Sequence, residues 1–198
     1  MIKFGIIREA RIVGAVAVEF VSTGLDEGHG NGSITEILAE DHRRLERLLD
    51  SAVVGEGHVE RESYNRFRAG LLRHIGMEEK ILLPAAQRRR GGEPLPIATK
   101  LRLDHGAIAA LLMPTPTSGV LATLRMILEQ HNLLEEGSDG LYRTCDRLLR
   151  DEADQLMAQL HVAPDVTVLP CSDAPAVLGA VRRAVQRAGF KISSDFPG

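Results

Sequence analysis

A chain of 198 residues, 44% hydrophobic and 26% charged, has the makeup of an ordinary globular protein, long enough for one good core and a small addition. A net charge of −3 removes any bulk electrostatic case for nucleic acid or an anionic membrane surface. The apolar run over residues 12–21 is broken by Glu19, is too short to span a bilayer and has the wrong flanks for a signal peptide. Cys145 and Cys171 form neither a C-x-x-C pair nor a disulfide framework, which fits a reduced, cytoplasmic setting.

In chain order, residues 1–24 are rich in Val, Ile and Gly and read as two short strands or one irregular arm. Residues 26–32 form a Gly-rich linker. Ser33-Ile-Thr-Glu36 is a capping box, and the helix it starts carries Leu38, His42, Leu45 and Leu49 on one stripe. A second helix is predicted over 60–90, with Phe67, Leu71, His74, Glu78, Leu82 and Ala85 on its inner face and a kink near Pro84. Pro94 and Pro96 open a third helix whose stripe is Ile97, Leu101, His105, Ile108 and Leu112, closed by Pro114 and Pro116. A fourth runs from about Ser118 with Leu121, Leu124, Leu128, His131 and Glu135 inward, until Gly137 and Gly140 interrupt it. Leu141 to Leu160 reads as a further amphipathic helix. In the tail, residues 165–169 and 190–192 read as short strands, with a helix over 174–188 stopped by Gly189.

The expected fold is therefore mainly α, an up-down four-helix bundle with a fifth helix and a small irregular or α/β appendage from the two termini. The division is an N-terminal arm and linker over 1–32, the bundle and following helix over 33–160, and a C-terminal appendage over 161–198.

Two motifs occur twice. Asp41-His42 and Asp104-His105 each begin Asp-His-x-x-(Leu/Ile)-x-x-Leu-Leu, and each is followed by His-x-x-x-Glu-Glu, at His74–Glu79 and His131–Glu136. Helix residues four apart share a face, so each of these latter His lies beside its Glu. An ionised carboxylate inside a core costs several kcal/mol unless paired or bound to a metal. One His-x-x-x-Glu says little in a chain this rich in both residues, and His58 to Glu62 is read as such a chance pair near a helix start. Four helices each bringing an inward His, two of them adding a Glu, are a candidate metal site: His42, His74, Glu78, His105, His131 and Glu135. Imidazole with carboxylate suits iron, manganese or zinc, while the lack of thiolate argues against a closed structural zinc site. Ferritin-like di-metal bundles use Glu-x-x-His instead.

On these residues, and on Leu82-Leu83-Pro84 after the first His-x-x-x-Glu, residues 34–160 resemble a hemerythrin-like, HHE-type cation-binding domain. The resemblance implies a four-helix bundle with two non-haem iron ions bridged by Glu78, Glu135 and an oxo or hydroxo group. It also implies that the centre binds or senses dioxygen, nitric oxide or iron and redox state. A di-iron enzyme, such as a peroxidase, an oxidase or a nitric oxide-handling catalyst, is the alternative, and a metal-free bundle with a proton-sensitive core is a third reading. Oxygen-carrying hemerythrins have a second His one turn beyond the third-helix ligand; here Ala109 stands there, which leaves a position for solvent and weighs against reversible oxygen carriage. The expected partners are a small gaseous or peroxide ligand at the metal and a protein partner or second subunit at the termini, with no nucleic acid or membrane.

Of the flanking residues, Asp41 and Asp104 could orient the neighbouring imidazoles, but adjacent helix residues do not face each other, so both are expected at the surface. Glu79 and Glu136 could serve as extra ligands, as a proton relay or as a solvated face. Tyr64 and Tyr142 are assigned to the core, Cys145 is read as a small buried hydrophobe and Cys171 as an exposed loop residue.

Overall fold

The structure, a computed structural model, describes residues 32–54 and 58–197. The arm expected over 1–24, with most of the linker after it, lies outside the described residues. Four rods make the bundle: α1 (Ile34–Ala52), α2 (Arg61–Met77) with its continuation α3 (Leu83–Arg89), α4 (Ala98–Leu111) and α5 (Ser118–Glu136). A two-residue antiparallel ribbon, Val53–Val54 with His58–Val59, links α1 to α2.

The helix ends follow the sequence signals. Ser33 Oγ accepts from the Glu36 N–H and the Glu36 carboxylate accepts from the Ser33 N–H, so the predicted capping box forms. Asp146 adds a second cap, accepting from Ile34 N–H at 2.9 Å. Between α2 and α3 the rod passes through a π-helical turn, Glu78–Leu82, in which the Leu83 N–H reaches the Glu78 carbonyl. Pro84 explains it: proline brings no N–H, and its ring would crowd the carbonyl four residues back, so the widened turn relieves both problems. The kink expected at Pro84 is this turn, and it begins on Glu78.

Each rod interrupts its apolar stripe at the same level. One core cluster holds Leu45, Leu49, Phe67, Leu71, Ile108, Leu111, Leu124 and Ile127; another holds Ile34, Leu38, Met77, Leu82, Leu101, Leu141 and Leu160. Between them lie His42, His74, Glu78, His105, His131 and Glu135, all buried. The bundle is thus two oily halves around one polar layer.

The helix expected over 141–160 is instead two, α6 (Leu141–Leu148) and α7 (Ala153–His161), joined by a 3-10 turn at Arg150–Glu152. The turn carries only charged residues and redirects α7 so that Leu156, Met157 and Leu160 join the core cluster of Leu38 and Leu141. The strands expected at 165–169 and 190–192 do not form; both segments are irregular. Side chains of α2 hold the chain leading into the first of them. Arg68, 5% exposed, donates to the Leu112 and Leu169 carbonyls, and Arg73 donates to the carbonyls of Leu160, His161 and Ala163 at the end of α7.

The final helix, α8 (Pro175–Arg187), forms as expected and is closed by Gly189 at φ 86°. Its Leu178, Val181 and Val185 join the core cluster of Leu45 and Phe67 against α4. Beyond it Phe196 enters the same cluster by passing over Gly119, where a Cβ would meet the Asp195 carbonyl carbon at 2.2 Å. No described helix is long and apolar enough to cross a membrane.

Candidate metal centre

The stripes explain how the site assembles. His42 sits one turn after Leu38 on α1, His74 one turn before Glu78 on α2, His105 one turn after Leu101 on α4, and His131 one turn before Glu135 on α5. Packing those stripes together brings all six predicted residues into one layer. They fall into two groups of four, His42, His74, Glu78 and Glu135 in one and His105, His131, Glu78 and Glu135 in the other, with the donor atoms of each group within 4.8 Å of one another. Both glutamates belong to both groups. His58 stays exposed on the ribbon and takes no part, as expected of the chance pair.

Three of the four imidazoles are hydrogen-bonded from behind by a carboxylate. His42 Nδ1 donates to Glu136 at 2.6 Å, His74 Nδ1 to Asp41 at 2.9 Å, and His105 Nδ1 to Glu79 at 2.7 Å. His131 Nδ1 lies 3.5 Å from Asp104 Oδ2, too long for a hydrogen bond, and neither atom has another partner. The surface placement expected for Asp41 and Asp104 is therefore corrected. Asp104 is fully buried and Asp41 partly buried, and each lies against the histidine of a neighbouring helix rather than its own neighbour in sequence. Glu79 and Glu136 act alike, but across the repeat: Glu79 from the first holds His105 of the second, and Glu136 holds His42 of the first. Such partners fix the tautomer, leaving the Nε2 lone pair of the neutral ring turned to the centre.

Without a cation, the two buried carboxylates hold protons on the rings. Burial alone would lower the His74 imidazole, but the Glu78 charge and the Asp41 hydrogen bond raise it to about 10. Burial would lower His105 and His131 too, but Glu135, Glu78 and Glu79 raise the first to about 11, and the neighbouring charges of Asp104 and Glu135 raise the second to about 9. At Asp41, burial would raise the carboxyl; the His74 and Arg44 hydrogen bonds hold it at about 2.

The donor set fits a cation. Glu78 Oε2, His105 Nε2 and Glu135 Oε1 are buried with no hydrogen-bond partner, though His105 Nε2 lies 3.2 Å and 3.6 Å from the two oxygens. Atoms so close yet not aligned as donor and acceptor are expensive to bury unless something between them takes their lone pairs. We expect Asp41→Ala and Glu79→Ala each to weaken metal binding by about 10–100-fold, as loss of an orienting partner does elsewhere. Competition with a chelator of known affinity reads this directly, and unchanged affinity would reduce these carboxylates to solvating groups.

Tyr142 is the residue that sequence reasoning left in the core. It is buried, but its hydroxyl lies 2.7 Å from Glu78 Oε1 and 3.1 Å from Glu135 Oε2. The signal was the Leu141-Tyr142 pair shortly after Glu135, across the Gly137–Gly140 link. Cys145 is buried, which pushes its thiol up to about 12, and Cys171 is exposed; neither enters the site.

No match to the chain was found among curated proteins or solved structures. The family model of the hemerythrin HHE cation binding domain matches residues 33–139, more than half of the chain and a span that contains all six clustered residues, so the chain belongs to the hemerythrin HHE cation-binding family.

Proposed function

We propose that this protein carries a non-haem di-iron centre that binds or senses dioxygen, nitric oxide or the iron and redox state of a reduced, cytoplasmic setting. His42 and His74 would hold one ion, His105 and His131 the other, and Glu78 and Glu135 would bridge them. The observation that carries this reading is the pair of four-residue groups sharing both glutamates. Iron, chosen over manganese and zinc, would supply a change of oxidation state and a place for a small ligand. The protein's own share is to hold the lone pairs of His42, His74 and His105 in register through Glu136, Asp41 and Glu79, with Asp104 behind His131, and to exclude water with the two apolar clusters.

A catalytic role, as oxidase, peroxidase or nitric oxide-handling enzyme, is favoured by one feature. Ala109, one turn beyond His105, offers no ligand, and catalytic sites keep a position open. The two roles separate on mixing reduced, iron-loaded protein with oxygen or peroxide. Binding or sensing predicts one stoichiometric oxidation and then no further consumption. Sustained consumption would move the protein to the enzymes.

A further inference from the structure

The two halves of the polar layer are not alike. On one side the Tyr142 hydroxyl oxygen lies 2.7 Å from Glu78 Oε1, 3.1 Å from Glu135 Oε2, 3.1 Å from His42 Nε2 and 3.2 Å from His74 Nε2. On the other, Glu78 Oε2, His105 Nε2 and Glu135 Oε1 make no hydrogen bond, and their close polar neighbours are one another and His131 Nε2, 3.1 Å from Glu135 Oε1. The same seven-residue step that leads from Glu135 to Tyr142 leads from Glu78 to Ala85, a buried methyl.

Four neighbours are more than a hydroxyl can serve. It donates one hydrogen bond and accepts two. In the neutral rings that a metal requires, with Nδ1–H of His42 and His74 given to Glu136 and Asp41, all four neighbours present lone pairs, and one proton cannot satisfy them. Five converging electron-pair donors suit a cation better than a proton. The spacing agrees: adjacent donors bound at about 2.1 Å to one small ion sit about 3 Å apart, and the other close pairs here, His42 Nε2–Glu135 Oε2 and His74 Nε2–Glu78 Oε1, are 3.4 and 3.3 Å.

We propose that Tyr142 is a seventh protein ligand, bound through its phenolic oxygen to the ion held by His42 and His74. Metal binding displaces the phenolic proton to solvent. One ion is then enclosed by five protein donors, and the position left open by Ala109 stays on the His105/His131 side. This rests on the two-metal reading above and makes the centre asymmetric.

The chain has two tyrosines and no tryptophan, so tyrosinate absorption is easily assigned. Metal-free protein is titrated with zinc, and separately loaded with ferrous iron and oxidised, with metal content measured on each sample. The expected result is a near-ultraviolet tyrosinate difference band equal to one tyrosine per chain, and a visible phenolate-to-iron band in the ferric form. Both are lost in Tyr142→Phe and kept in Tyr64→Phe. Two bound ions with no tyrosinate signal in the wild type would overturn the assignment and leave the two-metal reading intact, even if Tyr142→Phe did not fold. Failure of the wild type to take up any metal would remove both.

Discussion

Glu135→Ala and Glu78→Ala should each empty the site of both ions, whereas His42→Ala or His131→Ala should leave about one per chain. The difference follows from which side each carboxylate oxygen faces. Glu78 Oε1 lies 3.3 Å from His74 Nε2 while its Oε2 lies 3.2 Å from His105 Nε2. Glu135 Oε2 lies 3.4 Å from His42 Nε2 while its Oε1 lies 3.1 Å from His131 Nε2. Each glutamate therefore reaches both halves, and each histidine only one. Truncating a glutamate leaves polar rings without a partner, at a cost of about 1–3 kcal/mol, which a well-packed bundle can absorb. Elemental analysis beside circular dichroism separates lost metal from lost fold. Full retention of two ions in both glutamate variants would place the donors elsewhere.

Removing the metal should change how stability depends on pH, not merely its size. In the metal-free protein His131, His74 and His105 are raised from 6.5 to about 9, about 10 and about 11. Their stabilising contribution is complete below about pH 6.5 and is lost as pH rises through those folded values. Glu78 and Glu135 are lowered, against burial, by the surrounding histidines, so their contribution is present above about pH 4.5 and lost as pH falls. The metal-free bundle is thus steadiest in mild acid. Metal reverses the trend, because it needs neutral rings and binds more tightly as they lose protons. At a free concentration a thousand times its dissociation constant it adds about 4 kcal/mol. The drop in Tm on adding a chelator should therefore be larger at about pH 9 than at about pH 6. A melting temperature indifferent to chelator at both would favour a plain bundle with a polar core.

What the sequence made legible was periodic. Each inward His replaces a leucine in a 3.6-residue stripe, so the repeat alone placed His42, His74, His105 and His131 on inner faces, and the two Glu followed one turn on. The Ser33 capping box, the disturbance at Pro84 and the Gly189 stop are equally local signals. What stayed hidden depended on neighbours in space. Asp41 touches His74, 33 residues away, not His42 beside it, and no spacing rule connects them. Tyr142 reaches the site because Gly140 lets the chain pass close over the end of α5, where a Cβ would meet the Glu135 carbonyl oxygen at 2.5 Å. The break between α6 and α7 escaped because Leu149, Leu156 and Leu160 stay in phase across it, with no Gly or Pro to mark the turn. The first tail strand failed for a different reason: the β-prone run Val166-Thr167-Val168-Leu169 suggested a ladder, but Arg68 and Arg73 supply hydrogen bonds to Leu169 and to the end of α7.

Metal content of the wild-type protein, purified without chelator or reconstituted anaerobically with ferrous iron, is the most direct measurement. Two irons per chain, with the near-ultraviolet absorption of an oxygen-bridged pair, is the predicted result. No stoichiometric metal after reconstitution would contradict it.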